Sequence, residues 1–228
     1  MRQVSFPIRR HELYNLIESG EGADVEFKRQ FSSPEKIAKE IIAFANTRGG
    51  YILFGVDDDG TVVGVRSEKS ELEEIEHAAD FMIEPPVEIV SENVHAGRGM
   101  DIVMIRVPES KTKPHVLVEY DSSGRRAKIQ SGMGFVRYED KSVQASREVM
   151  NVMRGEHPEG PALQLSIGFN ERALFDYLEN HGKITVHDFA DLVNIGRRRA
   201  STILVNLVRS GIILMHTFEK TEFFTLAK

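Results

Sequence analysis

Cysteine is absent from the 228-residue sequence. Disulfide bonds and thiolate metal sites are therefore excluded, because both need cysteine sulfur. Disulfides are common in extracellular domains and rare in cytoplasmic ones, so this composition fits a cytoplasmic protein. We therefore expect a cytoplasmic location.

Long apolar runs are absent as well. No stretch of 18 or more apolar residues occurs, although a membrane-spanning helix needs one. The opening sequence MRQVSFPIRRHELYN carries charges without the apolar segment of a secretory signal. We expect no membrane association. The composition, 41% hydrophobic and 28% charged, is typical of a globular protein with buried cores.

Several catalytic and nucleotide-binding motifs are also missing. The eight histidines lack HExxH spacing, and there is no Gly-x-Ser-x-Gly elbow or Walker-type lysine motif. The pair Gly49–Gly50 follows a predicted helix and precedes a predicted strand, which is the reverse of a phosphate-binding loop. This order argues against ATP binding through the loop.

Acidic residues outnumber basic ones, 35 to 29, but the basic residues of the last part of the chain are clustered. The net charge of −6 argues against a protein that coats nucleic acid indiscriminately. Residues 1–162 carry a net charge of −7 and residues 163–228 a net charge of +1. A local basic cluster matters more for binding than the total charge.

The sequence predicts two domains. The stretch RGEHPEGPALQLSIG, residues 154–168, contains two prolines and three glycines and has no helical or alternating pattern in its first half. We place a linker at residues 154–165. The predicted domains are residues 1–154 and 166–228.

The first domain mixes helical and strand patterns. Its strongest helix is SSPEKIAKEIIAFAN, in which Ser32 or Ser33 caps the helix and Pro34 suits the first turn. Two further helices are predicted at RRHELYNLIESG and SELEEIEHAADFMI. Strands are predicted at DVEFKRQF, YILFGV, TVVGV, VEIVSENVHA, MDIVMIRVP, HVLVEYD and GFVRYE. We therefore expect an α+β fold with a mixed, largely antiparallel sheet.

The second domain has the order helix (ERALFDYLENHG), strand (KITV), helix (HDFADLV), turn (NIG), helix (RRRASTILVNLVRSG) and hairpin (IILMHTFEKTEFFTLA). This order predicts a winged helix-turn-helix. In its third helix, the residues predicted to face the core are Ala200, Ile203, Leu204, Leu207 and Val208. Those predicted to face outward are Arg198, Arg199, Ser201, Thr202, Val205, Asn206 and Arg209. The candidate nucleic-acid contacts are Arg197, Arg198, Arg199, Ser201, Asn206, Arg209 and, at the hairpin tip, Lys220. The alternatives are a solvated basic face and a dimerisation module.

Acidic residues near the predicted strand ends allow two interpretations. Asp57, Asp58, Asp59 and Gly60 suit a hairpin turn, for which Asp-Gly is a favoured pair. However, Glu21 lies just before the strand DVEFKRQF and Glu26 lies within it. Three carboxylates near strand ends could hold Mg²⁺ or Mn²⁺. Both interpretations stay open at this point.

Four motifs carry a family resemblance. EGADVEFKRQ, AFANTRGGYILFGVDDDGTVVGV, VPESKTKPH and GFVRYEDKSVQAS occur in an order that resembles the Alba-like domain of Schlafen type. That domain occurs in many bacterial and archaeal transcriptional regulators and in animal Schlafen proteins. The resemblance covers roughly residues 10–150 and implies that Gly49–Gly50 is the helix-to-strand turn of the fold.

The resemblance also implies a possible metal site. In the Schlafen members that cut RNA, two glutamates and a later aspartate bind a divalent metal. The matching residues here are Glu21, Glu26 and Asp58, and the motif lysine is Lys28. Schlafen cores contain two such lobes, whereas this sequence has one, so an equivalent groove would need a homodimer.

Two functions follow as hypotheses. The first is a homodimeric DNA-binding transcriptional regulator that prefers duplex DNA to RNA and requires no established cofactor. The alternative is an endoribonuclease that acts on structured RNA with Mg²⁺ or Mn²⁺ at Glu21, Glu26 and Asp58. A third, weaker hypothesis is a regulator that responds to a nucleotide ligand.

Overall fold

The computed structural model divides the chain into two compact units, Met1–Ala145 and Ser146–Lys228. It describes residues 10–97, 99–118, 133–160, 162–163, 165–218 and 221–227. Within these ranges, every helix is too short or too polar to cross a membrane.

The first unit contains three helices and eight short strands in its described part. The helices are α1 (Arg10–Ser19), α2 (Pro34–Asn46) and α3 (Glu68–Phe81). The strands are β1 (Val25–Lys28), β2 (Gly50–Phe54), β3 (Ile83–Glu84), β4 (Val90–Gly97), β5 (Met100–Val107), β6 (Val116–Leu117), β7 (Phe135–Tyr138) and β8 (Lys141–Gln144).

The main sheet has four strands in the order β1-β2-β5-β4. Strands β1 and β2 are parallel, whereas β2–β5 and β5–β4 are antiparallel. Two smaller antiparallel pairs, β3–β6 and β7–β8, complete the described strands. The predicted α+β class with a mixed, largely antiparallel sheet is confirmed.

Helix α2 forms where the sequence predicted it, because its ends and its apolar stripe agree. Ser33 Oγ accepts a hydrogen bond from the Lys36 amide, and Pro34 occupies the first helical position. Its buried residues pack with α3 and one face of the sheet. Leu13 of α1 lies in a separate cluster with residues from the opposite face, so the sheet is covered on both sides.

Some predicted elements differ from the observed ones. The expected strand TVVGV is reduced to one bridge, Val56–Val62, and KITV to one bridge between Ile184 and Phe224. These segments lack the consecutive partners that a ladder needs. Strand β8 was not predicted, and residues 119–121 of the predicted strand HVLVEYD lie outside the described residues.

The second unit contains four helices and a hairpin in its described part. These are α4 (Arg147–Glu156), α5 (Phe169–His181), α6 (Val186–Leu192), α7 (Arg197–Arg209), β9 (Ile213–Phe218) and β10 (Thr221–Leu226). Its core is formed by Leu174, Leu178, Ile184, Phe189, Ala190, Ala200, Leu204, Leu207, Ile213 and Phe224.

Helix α4 was not predicted from the sequence. The predicted first domain extended to residue 154, which would include most of this helix, whereas the structure groups the helix with the second unit. Ser146 caps α4 by accepting a hydrogen bond from the Val149 amide. The contacts of α4 with α7 decide which face of α7 is accessible.

Candidate functional site

The first turn of α7 carries three consecutive arginines, and all three are exposed. Arg197, Arg198 and Arg199 follow Gly196, which is the N-cap residue of the helix. The Arg197 Nη2 atom lies 3.4 Å from Nδ1 of His187 on α6. The start of α7 is therefore a concentrated positive surface.

The turn between α6 and α7 sets the start of α7. Asn194 has φ of 51°, in the left-handed region that asparagine tolerates better than most residues. The Ile195 amide donates to the Ala190 carbonyl oxygen over 2.9 Å, which ties the turn to α6. The predicted turn at NIG is thus confirmed between two helices.

Helix α4 covers one face of α7. Ser201 Oγ donates a hydrogen bond to Glu148 Oε1 over 2.8 Å, and Arg209 Nη2 donates to the Gly155 carbonyl oxygen over 2.8 Å. Val205 lies one helical turn from both α7 residues, on the same side of the helix. Only 7% of Ser201 and 6% of Val205 are exposed.

The prediction that Ser201 and Val205 face outward is therefore wrong. Helical periodicity groups residues by face, but it does not reveal that α4 lies against this face. Thr202 is exposed and Asn206 is half-buried, so they share an accessible surface with the arginines. The predicted contact Lys220 lies outside the described residues.

The three predicted metal ligands have different surroundings. Glu21 Oε1 accepts a hydrogen bond from the Phe27 amide over 2.9 Å, so it is tied to the interior of β1. Glu26 is buried and forms ion pairs with Lys28 and with Arg137, the latter at 2.6 Å. Asp58 is exposed in the turn after β2.

Arg137 on β7 is the centre of a buried ionic network. Its Nη2 donates to the Gly22 carbonyl oxygen over 2.9 Å, and its Nη1 lies 3.2 Å from Glu40 Oε2 on α2. The guanidinium also lies 4.8 Å from the centre of the Phe44 ring. Burial, together with the negative charge of Glu26, raises the pKa of Glu40.

These carboxylates do not fit a divalent metal site as they stand. Among the described residues, no group of three or more His, Asp or Glu side chains is arranged to hold a metal. The oxygens of Glu26 already face the cations Lys28 and Arg137. A carboxylate that binds a metal would have to direct an oxygen lone pair at the metal instead. Asp57 pairs with Arg29 at 2.6 Å, and Asp59 accepts from the Thr61 amide. The metal hypothesis stays a prediction.

Sequence reasoning missed a second buried polar network. Asn46 Nδ2 donates to the carbonyl oxygens of His115 and Phe135, and its Oδ1 accepts from the His115 amide. The His115 ring contacts the Pro85 carbonyl oxygen and Ser110 Oγ, each over 2.6 Å. Burial lowers the pKa of His115. Asn46 lies in the motif AFANTRGGYILFGVDDDGTVVGV and His115 in VPESKTKPH. Their place in the family motifs was the only sign in the sequence that they have a role.

Gly49 explains the glycine pair of the second motif. Its φ is +75°, and its amide donates to the Phe44 carbonyl oxygen over 2.9 Å at the end of α2. A Cβ atom at this position would lie 2.6 Å from the Val107 carbonyl oxygen. Gly49 therefore ends α2 and leaves room for the backbone of β5. The prediction that the glycine pair is a helix-to-strand turn is confirmed.

Two solved structures are similar to this chain at low identity. The DIP2311 protein from Corynebacterium diphtheriae is 16% identical, with a TM-score of 0.44 over 86% of this chain; this chain spans 37% of its length. The N-terminal domain of a RecG-related protein from Nitrosomonas europaea, named as an ATP-dependent DNA helicase, is 20% identical. Its TM-score is 0.41 over 62% of this chain and 94% of that domain.

No functionally curated protein matches the sequence. The model of the Schlafen, AlbA_2 family matches residues 21–146, more than half of the 228-residue chain. The matched region includes β1 with Glu26, the glycine turn after α2, the buried His115 and the Arg137 network. The chain therefore belongs to the Schlafen, AlbA_2 family.

Proposed function

We propose that the protein is a DNA-binding transcriptional regulator that acts in the cytoplasm. In this proposal the second unit is a winged helix-turn-helix, with α6 and α7 as the helix pair and β9–β10 as the wing. Membership of the Schlafen, AlbA_2 family supports nucleic-acid binding by the chain. The second unit supplies the contacts to duplex DNA.

The observation that carries the proposal is the exposure of Arg197, Arg198 and Arg199 at the first turn of α7. In helix-turn-helix proteins, the N-terminal residues of the second helix contact base edges in the major groove. Arginine is suited to this position because its fork of donors fits guanine O6 and N7 or a phosphate.

The accessible surface of α7 is narrower than the sequence predicted. It contains the arginines, Thr202 and Asn206, whereas Ser201 and Arg209 bond to α4. Asparagine can form two hydrogen bonds to adenine, and arginine can form two to guanine. We therefore assign contacts with guanine edges or neighbouring phosphates to Arg198 and Arg199, base contacts to Asn206, and a structural role to Ser201 and Arg209.

The first unit has a separate role in the proposal. It supplies a second binding or oligomerisation surface, and the protein acts as a homodimer. One α7 can read one half-site, and two-fold symmetric operators pair with two-fold symmetric proteins.

The proposal is tested by titrating a blunt DNA duplex and an RNA duplex with the full chain at several salt concentrations. Each lost phosphate contact should reduce the slope of log K against log salt by about 0.9 on B-DNA. We expect Arg198→Ala with Arg199→Ala to weaken binding and to reduce this slope by about one to two, depending on how many of the two meet phosphates.

A matched control removes two positive charges elsewhere. Arg66→Ala with Lys69→Ala alters two exposed residues near the start of α3, in the other unit. This control should leave DNA affinity nearly unchanged. Equal losses of DNA affinity in both double variants would show a general effect of charge. They would contradict the proposal that α7 contacts the DNA. Tighter binding of the RNA duplex would exclude the preference for DNA.

A further inference from the structure

The β9–β10 hairpin has two faces with different surroundings. Ile213 and Phe224 are fully buried on the face that packs against the helices of the second unit. Side chains alternate between the faces of a strand, so the neighbouring positions form an outer face. The strand register gives the members of this face as three cross-strand pairs: Leu214–Thr225, His216–Phe223 and Phe218–Thr221.

This outer face is aromatic and accessible. Phe218 is 61% exposed and Leu214 is 47% exposed. The rings of His216 and Phe223 are nearly parallel, with centres 5.0 Å apart and an angle of 13° between their planes. His216 Nε2 also lies 2.9 Å from Thr225 Oγ1, which fixes the imidazole ring on the strand.

The electrostatics of the outer face favour an anionic ligand. Lys183 Nζ lies 5.4 Å from the centre of the Phe223 ring, in a cation–π arrangement. None of the six side chains that form the cross-strand pairs is a carboxylate. Glu222 alternates to the other face of the hairpin. A phosphate backbone could therefore approach Lys183 without repulsion from these positions.

The exposed apolar area is small for a protein interface. Two partly exposed side chains of this size supply on the order of 200 Å², whereas a stable interface takes about 800 Å² from each partner. A nucleobase needs much less area, because it stacks on a single aromatic ring. An exposed phenylalanine near two partly exposed rings and a cation, with no carboxylate among the six paired positions, is typical of a surface that binds single-stranded nucleic acid.

We propose that the outer face of the β9–β10 hairpin binds unpaired nucleotides, with a base stacked on Phe218 and a phosphate paired with Lys183. This rests on the proposed nucleic-acid binding by the second unit and adds a class of substrate to it. A duplex with a single-stranded end would contact both α7 and this face. A blunt duplex would contact α7 but not this face.

The test compares three fluorescent probes: a blunt DNA duplex, the same duplex with a single-stranded extension of about ten nucleotides, and that single strand alone. The extension should tighten binding by the wild-type full chain. Phe218→Ala should weaken binding of the single strand at least about fivefold, because stacking on one aromatic ring is lost. Affinity for the blunt duplex should stay unchanged.

Two further variants distinguish stacking from other effects. Phe218→Leu keeps an apolar side chain without a ring, so it should lose single-strand binding as Phe218→Ala does. Thr217→Ala alters the neighbour of Phe218 in β9 that alternates to the other face of the hairpin, and it should bind all three probes normally. Lys183→Ala should reduce the salt slope for the single strand by about 0.7.

Each outcome decides the proposal. Equal affinities for the blunt and extended duplexes would overturn it, as would full single-strand binding by Phe218→Leu. If Phe218→Ala changes the sedimentation of the free protein but not single-strand binding, the face contacts a second copy instead. Phe218-dependent single-strand binding without any binding of the blunt duplex would support this site and reject the α7 proposal.

Discussion

Arg137 is surrounded by two carboxylates in a part of the first unit that is closed to solvent. Its side chain is 1% exposed and pairs with Glu26 and Glu40, while Gly22 supplies a carbonyl oxygen. Removal of one member of a buried ion pair leaves its partner charged in a medium of low polarity. Arg137 therefore stabilises the fold mainly by compensating the negative charges of Glu26 and Glu40, which are buried with it.

Replacement of Arg137 by methionine should lower the free energy of unfolding by about 3–5 kcal/mol at neutral pH. Urea unfolding of the variant and the wild type measures the difference. Because the pKa of Glu40 is already raised, this carboxyl is readily protonated as pH falls. Protonation removes one uncompensated charge, so the loss should shrink at acidic pH.

The matched control adds Glu26→Gln to Arg137→Met. This double variant removes a buried charge of each sign and should be more stable than Arg137→Met alone. If the single and double variants unfold at the same urea concentration, the charge of Glu26 is not compensated by Arg137.

Asp58 distinguishes the turn interpretation from the metal hypothesis. As an exposed turn residue, it should tolerate asparagine with a change within about 0.5 kcal/mol, because asparagine is also favoured in turns. A metal site predicts the opposite pattern. Crowded carboxylates would repel one another, so Asp58→Asn would stabilise the metal-free protein and abolish stabilisation by Mn²⁺.

Thermal melts of the wild type and Asp58→Asn, each with Mn²⁺ or with EDTA, measure both effects. We expect the two proteins to melt together and Mn²⁺ to leave both midpoints in place. A Mn²⁺-dependent rise in the wild type that Asp58→Asn removes would restore the metal site and, with it, the ribonuclease hypothesis. Glu18→Gln, at an exposed position of α1, is a control for nonspecific loss of negative charge.

At the level of elements, helices α4 and α7 are joined by a side-chain hydrogen bond near each end of α4. Ser201 donates to Glu148 near the start of α4, and Arg209 donates to Gly155 near its end. Both bonds lie on the side of α7 that carries Val205. The two helices therefore run in the same direction and stay in contact over two turns of α7.

A double-mutant cycle with Ser201→Ala and Glu148→Gln should show favourable coupling of about 0.5–3 kcal/mol, since a hydrogen bond to a carboxylate is stronger than a neutral one. Unfolding in urea gives the coupling energy. Thr202→Ala is the control, because its hydroxyl donates only to the Arg198 carbonyl oxygen within α7. Strictly additive single losses would show that this bond does not stabilise the pair.

The success of sequence prediction depended on whether an element is specified locally. Ser33, Pro34 and the stripe of Ile37, Ile41 and Ile42 lie within one helix, so α2 was found with its ends. Ala43, Phe44 and Asn46 are also buried, because β6, β7 and α3 cover the sides of α2 that periodicity had left free.

The candidate site was predicted only in part, because some of its features depend on residues that are distant in the sequence. The arginines of α7 are contiguous, and their exposure followed from the pattern of the helix. By contrast, Glu26 and Arg137 are 111 residues apart, and no local pattern reveals that they form a pair. Likewise, Glu148 is 53 residues from Ser201, so the burial of Ser201 could not be inferred from α7 alone.

At the level of the whole molecule, the proposed two-fold arrangement makes a direct prediction. Sedimentation of the full chain at about 20 µM should give a homodimer if the dissociation constant is on the order of 1 µM. A monomer at this concentration would contradict the model of two half-sites. Sedimentation in high salt is the control, because loss of the dimer there would indicate an electrostatic interface.

The contacts of α4 also determine how the second unit can be exchanged between proteins. A chimaera joined at residue 166, after the proline- and glycine-rich stretch, would separate α7 from Glu148 and Gly155 and would expose Val205 to water. A chimaera joined at Ser146 would carry the cap of α4 and its bonds to α7 along with the transplanted segment. The transferable piece of this protein thus begins at a serine cap, well before the stretch that looks like its linker.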